Sequence, residues 1–290
     1  DEHQSIATRK TAKAAGAAEG VNTLASYLKS DVDLNIPVSK VKQEKTFAVI
    51  IANENYQEEV NVEFALNDGM AFREYCIKLL GIPESNLHIR KDATLNNMLA
   101  EINWMQNIAK AYGAEARFIF YYAGHGMPDE SNGISYLLPV DGKSNILATG
   151  YSMSRLYAEL NGLNAACVTV LMDACFSGSK RGEGMLASAR GVALKAKAEA
   201  PKGNMLVMTA AQGSETAYPY KEKKHGLFTY FLLKKLQESK GKVTYGDLFD
   251  YVKTNVAQKS VVVNEKSQTP TIAVSGDLVS TWQGIRLNED

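Results

Sequence analysis

Two short segments of this sequence set a reactive side chain among glycines. One is Ala123-Gly124-His125-Gly126, the other Asp173-Ala174-Cys175-Phe176-Ser177-Gly178. Cysteine is a weak nucleophile as a thiol and a strong one as a thiolate. A nearby imidazole can take the thiol proton and later return it to a leaving amine. The tetrahedral intermediate of such a reaction needs N–H donors aimed at its oxyanion. The backbone N–H groups of Gly126 and Cys175 are the natural candidates, since each lies in or beside its tight turn. The flanking glycines leave room for a peptide and for exposed N–H groups. The expected pair is therefore Cys175 as nucleophile and His125 as its proton-transfer partner. Taken singly, each residue has a plainer reading. A cysteine after an apolar strand is commonly inert, and a histidine between glycines can be a turn residue.

The elements around these segments decide whether the two side chains can meet. Residues 46–52 (TFAVIIA), 86–90, 116–122 (ARFIFYY), 166–173 (ACVTVLMD), 204–210 (NMLVMTA) and 269–275 read as strands. Apolar spacing predicts helices over 67–80, 94–112, 153–160, 226–238 and 244–256. Strands alternate with helices and are almost wholly apolar. This implies an α/β fold, a mainly parallel six-stranded sheet with helices on both faces. In an open parallel sheet, ligands bind at the carboxyl ends of the strands. The third and fourth strands run into the two segments above. If these strands are neighbours, their spacing of about 4.8 Å sets His125 and Cys175 across one crevice.

Outside this alternation, residues 1–30 are Ala-rich and favour a helix, and residues 31–45 read as a linker. The chain thus divides into a 1–45 N-terminal helical extension and linker, and a 46–290 domain. Residues 176–203 (FSGSKRGEGMLASARGVALKAKAEAPKG) form a long, basic, Gly-rich loop of the kind that is usually functional.

Bulk composition narrows the classes. Apolar residues make up 45% and charged residues 22% of 290, the balance of an ordinary globular protein. Lys plus Arg and Asp plus Glu both number 32, so charge gives no argument for nucleic acid. No apolar run approaches the roughly 18 residues of a membrane span. Cys76, Cys167 and Cys175 form neither a metal-ligand spacing nor a disulfide framework, and Cys76 and Cys167 read as small buried hydrophobes. No GxGxxG or GxxxxGK[ST] follows the first strand, which argues against a nucleotide-binding domain. The sequence opens on Asp1. A removed signal peptide and a shortened chain fit that equally, so the compartment is left open.

YYAGHG at 121–126 and DACFSG at 173–178 resemble the two active-site blocks of caspase-like cysteine peptidases, in particular metacaspases and their bacterial relatives. FAVIIANENY at 47–56, NDG at 67–69, HGLFTYFLLKKL at 225–236 and QTPTI at 268–272 are similar to further blocks of that family, and the resemblance covers roughly 46–290. It implies the caspase-like form of the α/β sheet and a Cys175–His125 dyad with no third catalytic residue. It also implies protein or peptide substrates cut by an endopeptidase, and a monomer. The acidic positions that select Arg or Lys before the cut (the S1 pocket) fall on Asp68 and Asp173. Two carboxylates can hold a guanidinium in a way no neutral pocket can. The plainer readings are a helix N-cap for Asp68 and a structural carboxylate for Asp173.

Two departures stand out. Ala123 occupies a position where many metacaspases have Ser. Of the aspartates that hold calcium in many metacaspases, only Asp141 has a counterpart. A calcium site needs about six oxygen ligands, so neither metal nor other cofactor is expected. Self-processing is expected after basic residues in two segments: Lys180, Arg181, Arg190, Lys195, Lys197 and Lys202 in the loop, and Lys29, Lys40, Lys42 and Lys45 in the linker. The alternative is a catalytically silent adaptor of the same fold acting through residues 1–45.

Overall fold

A computed structural model of the protein describes residues 29–129, 134–176, 201–213 and 215–288. The chain divides into two units, residues 1–35 and residues 36–290. In the first, the described part holds one 3-10 turn, Asp31–Asp33, with the Ser30 N–H donating to Asp33 Oδ2 at 2.9 Å. Nearly all of the helix expected over 1–30 lies outside the described residues.

The second unit begins before the boundary expected at Thr46. Residues 36–45 run along it: the Ser39 N–H donates to the Lys78 carbonyl at 2.7 Å and the Gln43 N–H to that of Gly81 at 2.9 Å.

In chain order the strands are β1 (Thr46–Ala52), β2 (Leu87–Lys91), β3 (Arg117–Ala123), β4 (Gly126–Pro128), β5 (Ser135–Leu137), β6 (Tyr151–Ser152), β7 (Cys167–Asp173), β8 (Met205–Thr209), β9 (Pro219–Tyr220), β10 (His225–Gly226) and β11 (Thr271–Val274). Six of them form the central sheet in the order β11-β8-β7-β3-β1-β2. All pairs are parallel except β11 with β8. Every residue of β1 and β7 is buried, as continuous apolar runs covered on both faces must be.

The helices are α1 (Ala65–Glu74), extended by a π-helical turn over Tyr75–Leu79, α2 (Leu95–Tyr112), α3 (Met153–Asn161), α4 (Leu227–Glu238) and α5 (Tyr245–Asn264). On one face, Val49, Ile51, Phe118, Phe120 and Val170 share a core with Met98, Ile102 and Met105 of α2 and Leu156 and Leu160 of α3. Side chains of a strand alternate between faces, so the intervening residues meet the other helices. Tyr121 stacks on Phe72 of α1 with ring centroids 4.6 Å apart. Its hydroxyl lies 2.7 Å from that of Thr229 in α4. Thr169 bonds the hydroxyl of Tyr245 in α5.

Two features differ from the sequence reading. α5 runs to Asn264, past the expected end at 256, because Val252, Val256 and Ser260 continue one buried stripe. Two small antiparallel sheets, β4-β5-β6 and β9-β10, also form; their strands of two or three residues are too short to show a period. β4 begins directly after His125, and β10 holds His225 and Gly226, which bond to Asp68.

Candidate active site

Parallel pairing of β3 with β7 sets Ala123 opposite Asp173. The chains leaving these ends run side by side, and each reaches its reactive residue two positions further on. The Gly124 N–H donates to the Asp173 carbonyl at 3.3 Å. A Cβ at Gly126 would sit 2.6 Å from the Cys175 carbonyl oxygen and 2.5 Å from the Phe176 ring. The sheet therefore brings the His125 and Cys175 segments into direct apposition. Both side chains are buried, His125 at 6% and Cys175 at 3% exposure.

The imidazole is oriented by the backbone. His125 Nε2 lies 2.7 Å from the Val60 carbonyl. A carbonyl only accepts, so Nε2 carries the proton, and in the neutral ring Nδ1 is the basic nitrogen. Val60 sits in the segment between β1 and α1, which is fixed by its own bonds. The Glu54 and Asn55 N–H groups donate to Asp92 Oδ1, each at 2.9 Å. The Val62 N–H donates to the Glu54 carbonyl at 3.0 Å, and the Gln57 N–H to that of Val140 at 3.0 Å.

Two phenols hold the loop from below. Tyr56 Oη accepts from the His125 N–H at 2.8 Å, and Tyr122 Oη donates to the His125 carbonyl at 2.7 Å. The Tyr56 ring lies 4.7 Å from the imidazole. Burial, foremost among several causes, pushes both phenol pKa values well up, so both remain neutral hydrogen-bonding groups. A Cβ at Gly124 would lie 2.7 Å from each hydroxyl, so glycine is needed for the phenols to come this close. Losing the Tyr56 hydroxyl strands the buried His125 N–H, which costs about 1–3 kcal/mol. Tyr56→Phe is therefore expected to lower stability by about that amount, read from the denaturant midpoint. It is also expected to slow alkylation of Cys175 by a small neutral reagent, because the imidazole loses its register.

The backbone at Gly126, expected as an oxyanion donor, is placed by the β4-β5 ladder. The Leu138 N–H donates to the His125 carbonyl at 3.0 Å, and Gly126 pairs with Leu137. In this register Gly126 takes the non-hydrogen-bonded position of the ladder, where the backbone N–H points away from the partner strand.

Asp68 and Asp173 are both 0% exposed, and they converge on the first turn of α4. Asp68 Oδ1 lies 2.8 Å from His225 Nδ1, and both Asp68 oxygens accept from the Gly226 N–H, at 3.1 and 3.0 Å. Asp173 Oδ2 accepts from the Thr229 N–H at 3.2 Å and the Thr229 hydroxyl at 2.7 Å. Asp68 does not cap its own helix, whose N-cap position is Phe64. Instead it faces the amino end of α4, where the helix dipole favours negative charge. Ala123 is fully buried, between Ala52 and Asp173 in the sheet register.

Asp141 accepts the Leu95 N–H at 3.0 Å, at the start of α2. Among the described residues no three His, Cys, Asp or Glu side chains come together as a metal site. Cys76 and Cys167 are buried and form no disulfide, and burial, the main cause, pushes the Cys76 thiol up, out of reach of the thiolate. Of the expected processing positions, Lys29, Lys40, Lys42, Lys45 and Lys202 are exposed, and Lys45 pairs with Glu115. Lys180, Arg181, Arg190, Lys195 and Lys197 lie outside the described residues.

Sequence reasoning missed Val60, Tyr56, Tyr122 and His225. A backbone carbonyl leaves no trace in residue type. Tyr122 did leave one: a hydroxyl within an otherwise apolar strand must find a partner.

The fold and the paired blocks are those of a caspase-like protein. The sequence matches the caspase domain family over residues 45–277, and the chain belongs to that family. None of the curated proteins matches it. Among solved structures it is similar to a protein of Geobacter sulfurreducens, with a TM-score of 0.58 and 18% identity over 80% of this chain and 93% of that one. Caspase-1 from Spodoptera frugiperda is similar with a TM-score of 0.56 and 15% identity, over 83% of this chain and 92% of the other. At these identities the likeness concerns the fold. Among the described residues no helix is long and apolar enough to cross a membrane.

Proposed function

We propose that the protein is a cysteine endopeptidase that cuts after Arg or Lys through a Cys175–His125 dyad. The observation that carries this reading is the apposition of the two segments at the carboxyl ends of β3 and β7, with the imidazole held by the Val60 carbonyl. His125 Nδ1 takes the thiol proton, and the thiolate attacks the scissile carbonyl. The Gly126 and Cys175 N–H groups receive the oxyanion. His125 returns the proton to the departing amine, leaving an acyl-enzyme, and then activates the water that hydrolyses it. An Arg-chloromethylketone should label wild type on Cys175. Failure to label a folded protein would favour the silent adaptor.

Specificity for basic side chains is supported by two buried carboxylates, Asp173 two residues before the nucleophile and Asp68, which converge on the first turn of α4. The reading includes protein or peptide substrates, a monomer, and no calcium requirement. Asp141, the one counterpart of the calcium aspartates, accepts from the Leu95 N–H at the start of α2. Peptidase activity is expected to be unchanged, within about twofold, by excess EGTA; strong activation by added calcium would contradict this.

Self-processing also belongs to the proposal. A segment enters a protease cleft in extended form, which tethered backbone resists. The bonds from Ser39 and Gln43 to the end of the α1 turn make Lys40, Lys42 and Lys45 poor sites. The 176–203 loop begins beside Cys175, so its tether keeps it near the cleft at high effective concentration. Purified wild type is expected to show new N-termini following Lys or Arg in this loop by terminal sequencing, while Cys175→Ala stays intact. Equal fragmentation of both would point to a contaminating protease.

A further inference from the structure

The block His225-Gly226-Leu227-Phe228-Thr229 is similar to a family block, but the reaction itself leaves it without a role. We propose that His225 and Thr229 are positioning residues that aim the P1-binding carboxylates of Asp68 and Asp173. This rests on the proposed cleavage after Arg or Lys.

Asp68 comes from α1 and Asp173 from the end of β7, two elements with no reason of their own to present carboxylates in one direction. Both are fully buried, and both bond to this one block. His225, itself 0% exposed, meets Asp68 through Nδ1 at 2.8 Å, and the adjacent Gly226 N–H spans both oxygens of the same carboxylate. One turn on, Thr229 supplies both its N–H and its hydroxyl to Asp173 Oδ2. The hydroxyl is in turn set by Tyr121 Oη at 2.7 Å.

The block is anchored on both sides. The Leu227 N–H donates to the Tyr218 carbonyl at 3.0 Å across the β9-β10 hairpin. Asn67 Nδ2 donates to the Lys224 carbonyl at 3.0 Å, so the residue before Asp68 grips the residue before His225. A bidentate contact with a guanidinium depends on carboxylate direction as well as on charge. Releasing either carboxylate from its donor costs that direction while leaving Cys175 and His125 in place.

The test compares His225→Leu and Thr229→Val with their donor-retaining counterparts, His225→Asn and Thr229→Ser. An Asn amide N–H can stand where Nδ1–H was, and Ser keeps the hydroxyl. Kinetics on a peptide with Arg at P1 are measured beside the rate of Cys175 alkylation by iodoacetamide, which makes no use of a P1 pocket. His225→Leu and Thr229→Val are each expected to raise KM at least tenfold with alkylation within twofold of wild type. His225→Asn and Thr229→Ser should stay within about threefold in KM. If His225→Leu does not fold, the Thr229 pair carries the test alone. An unchanged KM in the Leu or Val variant, no rescue by Asn or Ser, or a parallel fall in alkylation overturns the proposal. Wild type that cuts peptides but never after Arg or Lys removes the underlying specificity as well, which separates the two failures.

Discussion

Cys175→Ala and His125→Ala are each expected to abolish peptide cleavage, with kcat/KM falling on the order of 10⁴-fold or more. Each residue supplies a step the other cannot. Without the thiol nothing forms the acyl-enzyme. Without the imidazole the thiol keeps its proton and the leaving amine receives none. The double variant should be no worse than the single ones, since residues acting as a unit lose their effect together. The fold should survive. Cys175 follows the end of β7 rather than lying within it, and the His125 backbone bonds to Tyr56, Tyr122 and Leu138 need no imidazole. The measurement is turnover of a fluorogenic peptide beside thermal unfolding of the same preparations. Retained turnover in a folded Cys175→Ala protein would end the peptidase reading.

The sheet was legible in the sequence because its strands are buried on both faces. A run such as TFAVIIA has no other stable home in a chain that alternates strand with helix. The order of the strands was not legible: that β3 and β7 are neighbours was a condition of the site reading, and the register of Ala123 with Asp173 meets it. The outer positions of β2 and β11 were not readable, since strand order depends on contacts distant in sequence.

At the candidate site, side chains with distinctive chemistry announced themselves, whereas their supports did not. Val60 acts through its carbonyl, which any residue carries. Tyr56 and Tyr122 stood within the quoted motifs, yet hydroxyl partners 69 and 3 residues away cannot be read from spacing. The same blindness applied to Asp68. Its place at the start of a predicted helix pointed to a local N-cap, while the carboxylate reaches the amino end of a different helix, 158 residues on.

Replacing Arg at P1 by Asp is expected to abolish cleavage, and Asp68→Asn or Asp173→Asn is expected to lower kcat/KM for an Arg substrate by about 30- to 1000-fold, or about 2–4 kcal/mol. A guanidinium leaving water for a closed pocket is stable there only if its charge is met. As P1 ligands, Asp68 and Asp173 would meet it, and they would repel an Asp in the same place. Their bonds to α4 also permit a purely structural role, in which each satisfies buried backbone N–H groups at the amino end of that helix. The two roles separate in measurement. If the carboxylates only support α4, the Asn variants lose stability while their relative rates on Arg, Lys and neutral P1 peptides match wild type. If they bind P1, the preference itself collapses: the Arg substrate falls towards the rate of a neutral one, and the neutral substrate changes little. Scanning P1 across all side chains with wild type and both variants reads this directly. A wild-type preference for Asp or for an apolar side chain would show that the P1 pocket lies elsewhere in the cleft.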